Sequence, residues 1–300
     1  MIISASRRTD IPAFYADWFL RRVRAGYCTV PNPFNPSQVR HVSLIPEDVD
    51  VIVFWTRFSR PLRHRLKELD RMNIPYYFLF TLTPYSRALE PHLPSVNKLV
   101  KEFCALANTI GPERVIWRYD PILVGSELTF HFHRRQFTQL ASALNGCTKR
   151  VIISLADYYR KTERNLRQYE DEGEVLFRNP ETIDGFDAFL SNLVRTGNQY
   201  GMTIQSCAES VDLKSHGIQP GKCIDNEYIE QITGKEVTSR KDPGQRAECR
   251  CVHSVDIGMY DTCRYGCRYC YATSNYRNAI RNQDHHRKDS PSLLDSTPSG

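Results

Sequence analysis

What this sequence lacks narrows it before any motif is read. No apolar run approaches the roughly 20 residues a membrane-spanning helix requires, and the opening MIISASRRTDIPAF has no basic-then-apolar leader pattern. A membrane protein is therefore not expected, and a cytoplasmic location is. No internal repeat is visible. Charge of one sign is not in large excess: 40 Lys and Arg against 34 Asp and Glu leave a formal +6, which permits nucleic acid as a partner without indicating it. Basic runs such as RRVRAG and RHRLKELDR alternate with apolar positions and read as solvated helix faces. Cysteine is scarce along most of the chain, with only Cys28, Cys104 and Cys147 in the first two thirds. A reducing compartment keeps thiols free, so no disulfide framework is expected. Metal or redox chemistry becomes the leading account of the ten cysteines.

What is present is the pattern of a soluble α/β chain, 41% hydrophobic and 25% charged. Short β-rich runs (Ile2 to Ser4, VIVFW, YYFLFTL, VIWRYD, VIISL, MTIQS and VDIGMY) alternate with helical patterns. Those patterns fall near 15–25, 61–72, 95–109, 131–144 and 182–200. Alternation of this kind favours parallel strands joined by right-handed crossovers. Most of the strand runs are apolar on both parities, as strands covered on both faces should be. The expected fold is a partial TIM-like (β/α) barrel, whose functional rim lies beyond the strand C-termini. Residues 1–207 form its main part, 208–250 a cysteine-rich insert, and 251–282 a cluster-bearing strand, loop and helix. Residues 283–300 are too polar and Ser/Pro-rich to bury much surface and are expected to be a disordered tail, with His285 and His286 solvated.

The decisive segment is Cys263-Arg-Tyr-Gly-Cys267-Arg-Tyr-Cys270-Tyr-Ala. Three thiols on one tight loop suit a [4Fe-4S] cluster with one iron left open to a small molecule. Structural zinc is the alternative, but it normally takes four closed ligands, often in C-x2-C knuckles. The segment resembles the C-x3-C-x2-C loop of radical S-adenosylmethionine (SAM) enzymes, including the aromatic Tyr269 before the last cysteine. The resemblance implies that Cys263, Cys267 and Cys270 hold the cluster, that Tyr269 lies near the SAM adenine, and that flavodoxin or ferredoxin supplies an electron. From SASRRTD through VPNPFNP, FWTR and WRYDP to the last cysteines, the chain also resembles an uncharacterised bacterial family with a C-terminal radical-SAM-like cysteine cluster.

Radical SAM domains usually carry this loop after their first strand, whereas here it lies near residue 270. A circular permutation accounts for the displacement: VDIGMY would be the first strand and Ile2 to Ser4 the second. The strand at 255–260 should then lie parallel and adjacent to the one beginning at Ile2. The Gly-Gly-Glu-like segment that the family places after its second strand is absent. Ser6, Arg7, Arg8, Thr9 and Asp10 stand there instead. Their hydroxyls and carboxylate are candidates for the SAM ammonium, and Arg7 or Arg8 for its carboxylate. Thr9 or Asp10 capping a helix that contains Pro12 fits the same residues.

Arg118 and Asp120 end a buried strand, where a charged pair is costly unless it is bridged or binds something. Thr81 and Thr83 are candidates for the ribose, or are ordinary strand threonines. Trp55-Thr56-Arg57 closes the second run in a similar way, and Tyr158 and Tyr159 either line a cavity or pack. Cys207, Cys223, Cys249 and Cys251 match the ligand count of an auxiliary [4Fe-4S] cluster or an all-cysteine zinc site. The function expected is SAM cleavage to a 5′-deoxyadenosyl radical acting on an unknown substrate. The alternative is a non-catalytic zinc- or iron-sulfur-containing module that binds nucleic acid.

Overall fold

The computed structural model describes residues 1–294. Its frame is one eight-stranded sheet in which every pairing is parallel. The strands, in chain order, are β1 (Ile2–Ala5), β2 (Val51–Thr56), β3 (Tyr76–Thr81), β4 (Val115–Ile122), β5 (Arg150–Leu155), β6 (Thr203–Ser206), β7 (Gln219–Pro220) and β8 (Val255–Asp256). Their order across the sheet is β7-β6-β5-β4-β3-β2-β1-β8. Sequence order and spatial order thus agree until the last strand, which returns to the far edge beside β1 with Ile3 opposite Val255 and Ser4 opposite Asp256. The strand expected over 255–260 pairs only at its first two residues, and the rest of VDIGMY runs on as loop. Among the described residues, β7 and β8 do not pair with each other. The architecture is α/β with a large parallel sheet flanked by helices.

Alternate side chains of the strands explain why both faces are covered. On one face Ile3, Ile52, Phe54, Phe78, Phe80, Trp117 and Val151 pack with Trp18, Phe103, Phe137 and Phe189. Those partners come from helices Ala16–Ala25, Val96–Ile110, Phe130–Ala143 and Phe186–Gln199, near where the sequence pattern placed them. The opposite parity, Ile2, Val51, Val53, Trp55, Tyr77, Leu79, Ile116 and Ile152, faces a second core. Among the described residues, no long helix packs on it. It packs against Cys223, Ile224, Ile229, Cys249, Cys251 and Val252 from the segment that follows β6, and Tyr77 Oη donates to the Cys223 carbonyl at 2.7 Å.

Three sequence expectations need correction. Residues 283–294 are packed rather than disordered: Leu293 is buried, Trp18 Nε1 donates to the Ser290 carbonyl at 2.9 Å, and Thr29 N donates to the Pro291 carbonyl at 2.9 Å. His286 stacks edge-on to Tyr15 at 4.8 Å. Composition undervalued this segment because its anchors are backbone groups, which any residue supplies. Residues 295–300, the rest of the expected tail, lie outside the described residues. The second correction is a disulfide between Cys104 and Cys147, where free thiols were expected: the helix at 96–110 and the turn after the helix at 130–143 bring the two together. The third concerns elements the periodicity missed. They are the hairpin Tyr27–Asn32 with Asn35–Ser43, the helix Arg160–Asp171 and the helix Asn226–Thr233. The hairpin's outer strand is nearly all exposed, so it carries no apolar alternation to read.

Candidate functional site

Parallel strands deliver their C-terminal ends to one rim, and that rim opens into a cavity of about 1120 Å³. Most sequence-derived candidates line it: Ser6, Arg7, Arg8, Thr9 and Asp10 after β1, Thr81 at the end of β3, Arg118 and Asp120 on β4, the loop cysteines Cys263, Cys267 and Cys270 with Tyr269, Tyr159, and the dispersed cysteines Cys207, Cys223, Cys249 and Cys251; Thr83 bonds Glu90 and Tyr158 packs against a core cluster instead. The hairpin tip adds Pro33 and an exposed Phe34 to the mouth.

Asp256, on β8, joins the N-terminal segment to the strand that leads into the cysteine loop. Its carboxylate accepts from Ser4 Oγ at 3.0 Å, Ser6 Oγ at 2.6 Å, Arg7 N at 2.8 Å and Gly258 N at 3.0 Å. Arg8 donates to it through Nε at 3.2 Å and Nη2 at 3.1 Å. Charge-assisted contacts from Arg8 and Ser6 hold its carboxyl below the ordinary value against the desolvation that would raise it. The approach is so close that a Cβ on Gly258 would fall 2.1 Å from Ser6 Oγ, so glycine is required here. Thr9 Oγ1 continues the seam by donating to the Met259 carbonyl at 2.8 Å. Asp256 carried no sequence signal beyond ending a short strand.

Asp10 does what the capping reading proposed. It accepts from Ala13 N at 3.0 Å at the start of the helix Ile11–Phe14, and also from Thr56 Oγ1 at 2.7 Å and Arg57 N at 2.7 Å. Burial nevertheless raises its carboxyl to about 7, these hydrogen bonds pulling the other way. Ser6, Arg8, Thr9 and Asp10 therefore line the cavity while being held by protein partners. Arg7 differs: its Nη1 reaches Ser254 Oγ at 3.3 Å and its guanidinium lies 5.2 Å from the Trp55 ring, but its buried Nη2 has no hydrogen-bond partner.

The Arg118 guanidinium lies 4.7 Å from the Trp55 ring and is bridged to Asp120. Asp120 in turn accepts from Ser154 Oγ at 2.6 Å. The structural bridge and the cavity position thus coexist, and Arg118 Nε is buried without a partner.

Behind the cysteine loop is a buried group that the sequence reading left unassigned. Arg57 Nη1 donates to Cys267 Sγ at 3.4 Å and to Tyr269 Oη, while Nη2 pairs with Glu90 at 2.8 Å. Tyr269 Oη also donates to Glu90, and Thr83 Oγ1 does so at 2.5 Å. Tyr269 is therefore anchored by its hydroxyl, its ring 5.8 Å from that of Tyr85. Ala272 N donates to Cys270 Sγ at 3.4 Å. Burial pushes the Cys267 thiol up to about 12, with Arg57 pulling it down, and the Cys263 thiol well above its ordinary value. Thiols in this setting become thiolates when a cation displaces their protons.

The dispersed cysteines pack together: Cys223, Cys249 and Cys251 share one buried cluster with Cys207 against it, and Cys207 Sγ lies 3.4 Å from Cys223 Sγ. Ile224 N donates to Cys251 Sγ at 3.4 Å. Contacts with Cys223 and then Cys249, reinforced by Arg7, pull Cys251 below the ordinary thiol value, and the contact with Cys223 pulls Cys207 down. Among the described residues, no three His, Cys, Asp or Glu side chains converge on a single ion position as they stand.

A family model described as "Domain of unknown function (DUF1848)" matches residues 2–272. The chain belongs to this family. The match spans the sheet, the dispersed cysteines and the cysteine loop, so the cavity is built entirely from matched residues. No curated protein matches the chain. A crystal structure of a "putative alpha-L-fucosidase" from Bacteroides thetaiotaomicron VPI-5482 is similar at 12% identity, covering 74% of this chain and 81% of that one. Its TM-score of 0.26 is too low for that likeness to carry an argument.

Proposed function

We propose that this chain is a radical SAM enzyme built on a circularly permuted partial barrel. The observation that carries the reading is that one cavity brings the Cys263–Cys270 loop together with the Ser6–Asp10 segment and Arg118, groups that lie at opposite ends of the sequence. The adjacency of β8 and β1 supports the permutation, because it puts the cysteine-bearing strand in the cyclic place of a first strand.

The residues fit the cofactors. Cys263, Cys267 and Cys270 would hold a [4Fe-4S] cluster, and the partnerless buried nitrogens Arg7 Nη2, Arg57 Nε and Arg118 Nε are donors suited to anionic groups. Reduced by flavodoxin or ferredoxin, such a cluster supplies the electron that cleaves SAM to methionine and a 5′-deoxyadenosyl radical. Arg57 would orient Cys267 and offset thiolate charge, with Glu90 fixing the guanidinium. Arg7 and Arg118 would bind the SAM carboxylate, and Thr81 would be available to its ribose. Trp55 and Tyr271 give the cavity aromatic walls.

The test is anaerobic reconstitution followed by dithionite. The wild-type chain should convert SAM to 5′-deoxyadenosine, and replacing Cys263, Cys267 and Cys270 together by Ala should abolish that and remove about four irons per chain. Full SAM cleavage by the triple variant overturns the assignment. A colourless, zinc-bearing wild-type protein without SAM cleavage would instead favour the non-catalytic module that binds nucleic acid.

A further inference from the structure

The second cysteine set has a geometry of its own, and it argues against a second cubane. In a [4Fe-4S] cluster each thiolate binds a different iron, so the sulfurs are held at separate corners. Around one tetrahedral ion with metal–sulfur bonds of about 2.3 Å, the sulfurs stand only about 3.8 Å apart. The Cys207–Cys223 separation of 3.4 Å belongs to the second scale, and Cys249 and Cys251 pack in the same buried cluster as Cys223.

We propose that Cys207, Cys223, Cys249 and Cys251 bind a single thiophilic divalent cation, of which zinc is the type, in a closed tetrathiolate site.

The surroundings suit such a site. Four thiolates around a divalent ion leave two negative charges, and Arg7 and Arg118 line the same cavity with partnerless nitrogens. Ile224 N, donating to Cys251 Sγ, is the kind of outer contact that orients a metal-bound thiolate. The ligands arrive from three places: directly after β6, after β7, and ahead of β8. Between them the chain has one helix, Asn226–Thr233, and otherwise loops and very short elements, so a cross-linking ion would supply order that local structure does not. Among the described residues no three of these thiols converge on one ion position as they stand, so binding would require side-chain rotation.

This inference stands apart from the radical SAM reading, and the experiment keeps the two apart. Purified full-length chain carrying C263A, C267A and C270A is loaded separately with zinc, cobalt(II), and iron with sulfide. The proposal expects one zinc per chain, and a cobalt form with thiolate charge-transfer and intense tetrahedral d–d absorption. Adding C223S and C251S should remove both. Where the added substitutions leave the chain unfolded, thiol counting on the folded triple variant replaces them: four of its thiols should become unreactive on zinc addition and return with chelator. Incorporation of about four irons with dithionite-bleachable absorption would overturn the proposal in favour of a second cluster. Zinc-independent thiol reactivity, or a Cys207–Cys223 disulfide, would overturn it altogether.

Discussion

The two cysteine sets that line the cavity were assembled in different ways. Cys263, Cys267 and Cys270 come from one loop, and their spacing alone declares them. Cys207, Cys223, Cys249 and Cys251 are gathered by the sheet edge and the covering segment, and only the structure reveals that they pack together. Each set has its own cation: Arg57 donates to Cys267, whereas Arg7 lies against Cys251. A local motif specifies the type of a site. A site collected from distant segments is specified by the fold, and its geometry cannot be guessed from ligand count.

Asp256 is where the comparison can be broken, since its strand separates Cys251 from Cys263 and ties both to the N-terminal segment. Asp256→Ala leaves Arg8 and the Ser6 hydroxyl without their acceptor and should cost about 3 to 5 kcal/mol, read as a lowered urea midpoint. Both cysteine sets should lose metal affinity together. An unchanged midpoint would mean that the seam between β1 and β8 does not depend on this carboxylate.

A reference group that neither set touches sharpens the comparison. His133 is fully buried, its ring nitrogens 2.8 Å from Tyr119 Oη and 2.7 Å from the Leu123 carbonyl. Burial lowers its value from 6.5 to about 4. Between these limits the unfolded chain binds a proton that the folded chain refuses, so stability is full above pH 6.5 and falls as pH drops toward 4. The total is about 3 kcal/mol. His133→Gln should flatten that part of the stability–pH curve; an unaltered slope would remove His133 as its source.

Arg7→Ala distinguishes the sets next. It should weaken SAM binding by about 1.5 to 3 kcal/mol by calorimetry, with the iron on the Cys263–Cys270 loop unchanged and the dispersed set's metal held less tightly. Equal SAM affinity in the variant would show that Arg7 serves only the dispersed thiols.

The smallest effect is expected from Arg57→Lys, which keeps the charge and loses the fork that reaches Cys267, Tyr269 and Glu90 together. The reconstituted loop cluster should keep its iron and shift in reduction potential on the order of tens of millivolts, with the dispersed site untouched. A potential identical to wild type would leave Arg57 with a packing role alone.

The sequence was informative where chemistry or burial is local. Strand runs apolar on both parities announced a covered parallel sheet, and the spacing at 263–270 marked out a candidate loop that the structure places on the cavity. Ser6 to Asp10 could be placed after a strand, but their partners could not. Serine, arginine and aspartate suit a cap, a seam or a ligand equally, and only the approach of Asp256 and Gly258 decides how these residues are used. Arg57 was visible as the end of a strand run, yet its value lies in Glu90 and Cys267, which no periodicity connects.

By itself, then, the sequence determined the α/β class, the positions of most long elements and the identity of one candidate metal-binding loop, because each is encoded by neighbours along the chain. The displaced cysteine loop also led to the expectation that the last strand lies beside the first, which it does; tertiary structure alone decided that residues 283–294 pack, that Cys104 meets Cys147, and that Cys207 meets Cys223. Each of these depends on contacts between segments remote in sequence, whose pairing is set by the packing of the whole sheet and leaves no local periodicity to read.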